Sequence, residues 1–240
     1  MDKNMNFNDV FANVRVVLPV IHVESQDQAL RNVRIAREAG ADGVFLINHG
    51  MSSDELLRIH GEVAADNSGL WIGVNCLDLD PEDVFSKVNN RVGGVWVDNA
   101  AIDEHSEDQC AAEAILKARE KSGWKGLYFG GVAFKYQRPV KDLAQAARRA
   151  SRYMDVVTTS GPGTGQAADI AKIVAMKEAL GDVPLAIASG ITPENVADYL
   201  DIADCFLVAT GISSSFTELD PGRLNALIQT TRSYKPAGRG

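Results

Sequence analysis

Cysteine is scarce in this chain. Its 240 residues hold three, Cys76, Cys110 and Cys205, an odd number with no Cys-x-x-Cys pair, so no disulfide framework is encoded and a reducing compartment is expected. Long apolar runs are missing as well. None approaches 18 residues, and the opening MDKNMNFNDVFANV lacks the apolar stretch of a secretory leader, so the expectation is a cytoplasmic protein with no membrane partner. Basic residues are the minority, 24 against 32 acidic, giving a net charge of -8 and a pI near 5.0. That sign opposes capture of a polyanion, and no nucleic-acid partner is expected. Familiar catalytic signatures are absent too. There is no G-x-x-x-x-G-K-[ST], which excludes a P-loop, no His-x-His or His-Glu-x-x-His, and no nucleophile-elbow pattern around Ser160. Gly161, Gly163 and Gly165 are spaced G-x-G-x-G, but Gln166 stands where a dinucleotide fingerprint wants its third glycine, and the turn follows a sixth strand.

What the chain does have is a repeat of element type. Short β-rich runs are read at Arg15–Val23, Gly43–Asn48, Leu70–Cys76, Gly94–Asp98, Gly126–Phe134, Asp155–Ser160, Pro184–Ser189 and Cys205–Thr210, starting every 21 to 32 residues, with one helical pattern such as QALRNVRIAREAG in each gap. Runs such as VFLI, LAIA and CFLVA are apolar on both faces, as strands of a parallel sheet covered by helices must be. Ser52-Ser53, Asp80-Pro81-Glu82 and Thr192-Pro193-Glu194 are helix openers, and Gly40 and Gly123 fall where helices should stop. Open doubly wound sheets usually have five or six strands, so eight regular units predict closure of an α/β chain into a (β/α)8 TIM barrel, a closed parallel eight-stranded sheet. No composition shift divides the chain, so 1–240 reads as one TIM-barrel domain, with 1–13 and 231–240 expected to be frayed termini. The longest irregular connection is Asn99 to Glu107.

In such barrels the chemistry lies at the C-terminal ends of the strands. The polar residues there are His22 and Glu24, Asn48 and His49, Asn75 and Asp78, Asp98 and Asn99, Lys135, Thr158 to Ser160, Ser189 and Thr210. Taken singly, each could merely cap the next helix. The sharper signal is three glycine-bearing turns on the last three strands, TTSGPGTG at 158–165, ASGIT at 188–192 and ATGIS at 209–213. Glycine permits close approach of backbone amides to an oxyanion, and helix N-termini following the turns would add positive potential. The candidate phosphate-binding residues are therefore Ser160, Gly161, Gly163, Thr164, Gly165, Ser189, Gly190, Thr210 and Gly211. The bland reading is that these glycines only make tight βα turns.

Lys135 is placed at the end of the fifth strand, where a partly desolvated ammonium could act as nucleophile, acid/base or anion holder. Asp98 ends the fourth strand and is a candidate general base. His22 and His49 lie on adjacent strand ends and could share a divalent metal with Glu24 or Asp98, but no metal or other cofactor is the main expectation. His60 falls within the second helical segment of the repeat, where a solvent-facing position is expected.

These strand-end residues resemble the BtpA family, barrels related to the ribulose-phosphate-binding barrels. The resemblance runs from Val17 to about Ser213. Ile21-His22 is similar to a Val-His pair of the family's first strand, Gly73-Val74-Asn75 to a Gly-Val-Asn of the third, Lys135 to a lysine ending the fifth, Thr164-Gly165 to the sixth turn, and Ser189 to Asn195 to a Ser-Gly-Val-Thr-x-x-Asn seventh turn. The chain departs from the pattern at Glu24-Ser25-Gln26-Asp27, at Val97-Asp98-Asn99, at Tyr136 and at Ser213-Ser214. Family members are linked to photosystem assembly and to sugar-related operons, so the resemblance implies fold and phosphate site more than reaction. The expectation is an enzyme on a small phosphorylated metabolite, a sugar or ribose phosphate, by isomerase, aldolase/lyase or phosphoribosyl-type chemistry. Lys135, Asp98, His22 and Asn75 are its candidate catalytic residues. The alternative is a non-catalytic phosphate-ligand-binding barrel acting as an assembly or regulatory factor; a homo-oligomer is compatible with either.

Overall fold

A computed structural model describes residues 5–236. Each expected strand is present, β2 with its expected bounds and the others shorter, β5 by four residues: β1 Val16–Val23, β2 Gly43–Asn48, β3 Trp71–Asn75, β4 Gly94–Val97, β5 Leu127–Gly131, β6 Val156–Ser160, β7 Leu185–Ala188 and β8 Cys205–Val208. All pairs are parallel, each strand beside its sequence neighbour, and β8 returns to β1 with Val16 opposite Cys205, so the sheet is a closed (β/α)8 barrel. The helices are α1 Phe7–Val10, α2 Gln26–Glu38, α3 Ser53–Asp66, α4 Val84–Lys87, α5 Cys110–Ser122, α6 Leu143–Ala150, α7 Ile170–Leu180 and α8 Pro221–Ser233. Where full seventh and eighth helices were expected to follow the glycine turns directly, there are 3-10 turns at Val196–Tyr199 and Thr210–Ile212.

Two apolar layers divide the core. Between helices and sheet, residues such as Val33, Leu56, Ile173 and Leu224 bury completely. Inside the barrel, Leu18, Phe45, Trp96, Phe129 and Leu207 fill the lumen. The strands are therefore apolar on both faces, as their composition demanded. Gly73 and Gly94 are the small partners of large ones here. A Cβ on Gly73 would lie 2.4 Å from the Phe45 ring, and one on Gly94 2.3 Å from Trp71, so these two glycines make the room those rings occupy.

The amino-terminal lead does not fray where it is described. Asn6 caps α1 through Asn8 N, and Phe7 and Phe11 are buried, with Phe11 edge-on to Trp71 at 5.2 Å, closing the N-terminal mouth of the barrel. At the other end α8 continues through Ser233 with Thr231 buried; residues 1–4 and 237–240 lie outside the described residues. His60 also departs from expectation. It shares the buried stripe of α3 with Leu56, Ile59 and Val63, at three- and four-residue steps, and its ring faces Ile72 O at 3.4 Å. Burial lowers its pKa.

A recurrent carboxylate braces the N-terminal end. Asp42 accepts from Val17 N at 2.7 Å, Asp155 from Tyr128 N at 2.7 Å and Asp204 from Leu185 N at 2.9 Å, each just ahead of one strand and tied to the preceding one. Each is also paired with a cation: Arg232, Arg119 and Lys177 respectively. No helix among the described residues is long and apolar enough to cross a membrane.

Candidate active site

The C-terminal mouth opens into a cavity of about 190 Å3. Its floor is apolar, with Val20, Ile47, Trp96 and Leu207, and its polar rim carries His22, His49, Asp98, Lys135, Thr164, Ser189 and Thr210. Of the residues expected to act there, His22, Asp98, Lys135, Thr164, Ser189, Gly190, Thr210 and Gly211 line this cavity together. The rest are placed differently. Ser160 is fully buried, accepting from Lys135 N and donating to Gly161 O, so it fastens a loop rather than meeting a ligand. Gly161 packs against Gln166 O of its own turn, and Gly163 and Gly165 stand outside the cavity lining. Asn75 is buried behind the wall and donates to Asp98 Oδ1 at 2.9 Å, which makes it a positioning residue.

The last three turns interlock. A Cβ on Gly190 would lie 2.2 Å from Gln166 O, and one on Gly211 1.9 Å from Ile191 O, so the seventh turn rests on the sixth and the eighth on the seventh with backbone in direct contact. Ser189 and Gly190 both hold positive φ, 77° and 74°. Asn195 sustains that conformation, accepting from Thr192 N and donating to Gly190 O, both at 2.8 Å. This explains why an asparagine stands three residues past Thr192 in the turn.

Lys135 is not at the strand end. Ala133 adopts φ 48°, which breaks β5 at Gly131, and Lys135 follows in the loop. The non-glycine residues with positive φ among those described, Ala101, Ala133, Tyr136 and Ser189, all follow β4, β5 or β7 at this mouth, so backbone strain concentrates at the site. From its loop Lys135 reaches across to the glycine turns, with Nζ 3.3 Å from Thr164 Oγ1 and 3.2 Å from Ser189 Oγ. The 3-10 turns offer little of the helix-end potential expected from sequence; the lysine supplies the positive charge.

Opposite the lysine sit two imidazoles with ring centroids 4.7 Å apart. Burial, then His49 and Lys135, hold the His22 pKa down at about 4, and burial is the main cause of a lowered pKa at His49 as well. Both rings are neutral near pH 7. Burial pushes the Asp98 carboxyl up, opposed by the bond from Asn75, by the Lys135 ammonium and, once its ring is protonated, by His49. Among the described residues no three His, Cys, Asp or Glu side chains converge as a metal site requires, and Glu24 points to solvent.

Two residues escaped the sequence reading. Phe216, 62% exposed, stands 4.1 Å from His22 between ring centroids; its only trace in the sequence is an aromatic inside the polar run SSSFTELD. Lys172 on α7 donates to Ala133 O at 2.6 Å and Ser160 O at 2.7 Å, tying the Lys135 loop to β6, and burial lowers its pKa to about 8. Nothing in the period of α7 separates it from a surface lysine. The long connection after β4 is irregular yet pinned: Glu104, buried, takes a two-pronged ion pair from Arg138, which with the bond from Lys141 N holds its carboxyl near 2.

Barrel topology and a C-terminal cavity whose walls carry a lysine, hydroxyls and interlocked glycine turns define the class: a (β/α)8 barrel with a polar site at its strand ends. The sequence pattern of the BtpA family matches residues 22–233, and the chain belongs to that family. An uncharacterised protein of Thermococcus kodakarensis is 27% identical over 230 residues, covering 87% of this chain and 83% of that protein. The N-(5'-phosphoribosyl)anthranilate isomerase of Halobacterium salinarum is 32% identical, but over 103 residues, 37% of this chain and 47% of the isomerase. Among solved structures, (S)-3-O-geranylgeranylglyceryl phosphate synthase from Thermoplasma acidophilum, in complex with sn-glycerol-1-phosphate, superposes with a TM-score of 0.69 at 13% identity, covering 96% of this chain and 100% of that one. Phosphoribosyl anthranilate isomerase from Thermus thermophilus does so at 0.64 with 20% identity, covering 91% and 98%. At these identities the likeness is one of fold.

Proposed function

We propose that the protein is an enzyme acting on a small phosphorylated metabolite, with the phosphate held by Lys135 and by the turns after β6, β7 and β8. The observation that carries this reading is the meeting of Lys135 Nζ with the hydroxyls of Thr164 and Ser189, beside Gly190 and Gly211. A cation, short hydroxyl side chains and backbone pressed close by glycine make an oxyanion cradle. That two relatives in fold are named for phosphorylated compounds agrees with it.

Across the cavity Asp98 is the proton carrier in this reading. Its raised pKa brings carboxylate and acid closer in energy, and Asn75 holds its orientation. His22, kept neutral, can hydrogen-bond a carbonyl or hydroxyl without adding charge. A proton moved within a substrate anchored by its phosphate fits isomerisation, aldol-type cleavage or phosphoribosyl-type chemistry. Thermal-shift titration with inorganic phosphate and sugar phosphates tests the anchor: the intact protein is expected to gain stability with ligand concentration, and Lys135→Ala to lose that gain. No gain with any phosphate in the intact protein overturns the proposal. For each binding compound, Asp98→Asn should keep binding and abolish turnover; binding without turnover in the unmutated protein would favour the non-catalytic barrel.

A further inference from the structure

Six large apolar side chains are exposed among the described residues, and three of them, Leu77, Tyr136 and Phe216, line this one cavity. Phe216 belongs to no core cluster. It meets His22 at 4.1 Å and His49 at 5.2 Å, both rings at 68° to its own, and leaves the rest of its face open. Its loop is nonetheless held from behind: Thr217 O accepts from the buried amides of Gln28 and Asn32, and Asn32 Oδ1 accepts from Leu219 N at 2.7 Å. A phenylalanine kept at a polar mouth by buried amide side chains, with an open face, is a surface awaiting an apolar partner.

The opposite wall sharpens this. The Lys135 ammonium meets the hydroxyls of Thr164 and Ser189, while Phe216 stands against two imidazoles, with Leu77 and the apolar floor in the same cavity and Ser213, Ser214 and Ser215 beside it. A polyol chain lying there could bond His22, His49 and Asp98, but it would give up water over the open face of Phe216 without covering that face with apolar surface. A flat ring would surrender little and would extend the edge-to-face cluster that His22, His49 and Phe216 already form.

We infer that the substrate is a phosphate ester whose other end carries an uncharged planar ring, seated against Phe216 and Leu77, rather than an open polyol. This rests on the phosphate anchor proposed above. The test is calorimetric titration of the full chain with inorganic phosphate, glycerol phosphate and phenyl phosphate, which share the anion and differ in what it carries. Phenyl phosphate is expected to bind ~5–10-fold tighter than glycerol phosphate, the size of a single good aromatic contact. Phe216→Ala should erase most of that ratio, and Phe216→Tyr should retain it. Because the Phe216 side chain is exposed, an unchanged melting temperature in the alanine variant shows that the fold is intact. Equal binding of the two esters, or a ratio that survives Phe216→Ala, overturns the ring and leaves the anchor standing. Failure of all three to bind overturns the anchor and the ring with it.

Discussion

At the scale of single residues, the site is governed by where charge is permitted. His22 takes up its proton only near pH 4 when folded, against an ordinary 6.5, because burial and two neighbours oppose the cation. As acid is added, the unfolded chain therefore binds this proton first, and the stability present above pH 6.5 is lost as pH falls towards 4. The proton resonances of His22 should show a neutral ring down to about pH 4; titration near 6.5 would refute the buried placement. Asn195 shows a different kind of residue control. It touches no cavity surface, yet it holds the turn in which Ser189 is strained. Asn195→Ala is expected to cost ~1–3 kcal/mol, from losing two bonds at a half-buried turn, and to weaken phosphate binding; chemical denaturation and thermal shift measure the two effects separately.

At the scale of elements, the loops around the cavity are tied down by side chains from elsewhere. Lys172 on α7 fastens the Lys135 loop at Ala133 O, and Ser160 fastens it at Lys135 N. Lys172→Met should raise amide exchange in 133–137 while leaving the strand amides protected; equal exchange in both proteins would show that the ammonium is incidental. The opposite rim works by repetition. Asp42, Asp155 and Asp204 each satisfy a strand amide and meet a cation, and at Asp155 the partner Arg119 is almost wholly buried. Asp155→Ala leaves that guanidinium without its carboxylate, so a loss of ~3–5 kcal/mol is expected in urea unfolding, with no change in ligand affinity.

Taken whole, the molecule is a barrel plugged at one mouth and open at the other. Phe7 and Phe11 close the N-terminal mouth, and Phe11→Ala should cost ~3–5 kcal/mol in denaturant unfolding, a value near zero being expected only of a frayed lead. Acid should weaken the whole barrel in two stages. His22 accounts for a loss between pH 6.5 and about 4; Glu104, whose folded pKa lies near 2 against an ordinary 4.5, contributes stability above pH 4.5 that is lost as pH falls towards 2. Melting temperature against pH checks both, and Glu104→Gln should flatten only the lower stage.

The periodicity of the chain settled much of this by itself. Strands apolar on both faces at intervals near 30 residues have few ways to bury those faces other than a helix-covered parallel sheet, and the glycine turns are legible because they must approach other backbone closely. The histidine and aspartate at the ends of β1 and β4 were likewise visible as polar residues where runs stop, and Lys135 was visible as a cavity residue although it lies in the loop past β5. What the linear order could not contain is direction. Whether Lys135 would face Asp98 or the glycine turns depended on a left-handed residue at Ala133, and whether Ser160 would meet a ligand or fasten a loop depended on the neighbouring strand. The exposed ring of Phe216 and the carbonyl grip of Lys172 follow from contacts between elements far apart in the chain. Local propensity determines which elements form; only closure of the barrel determines which side chains share a cavity.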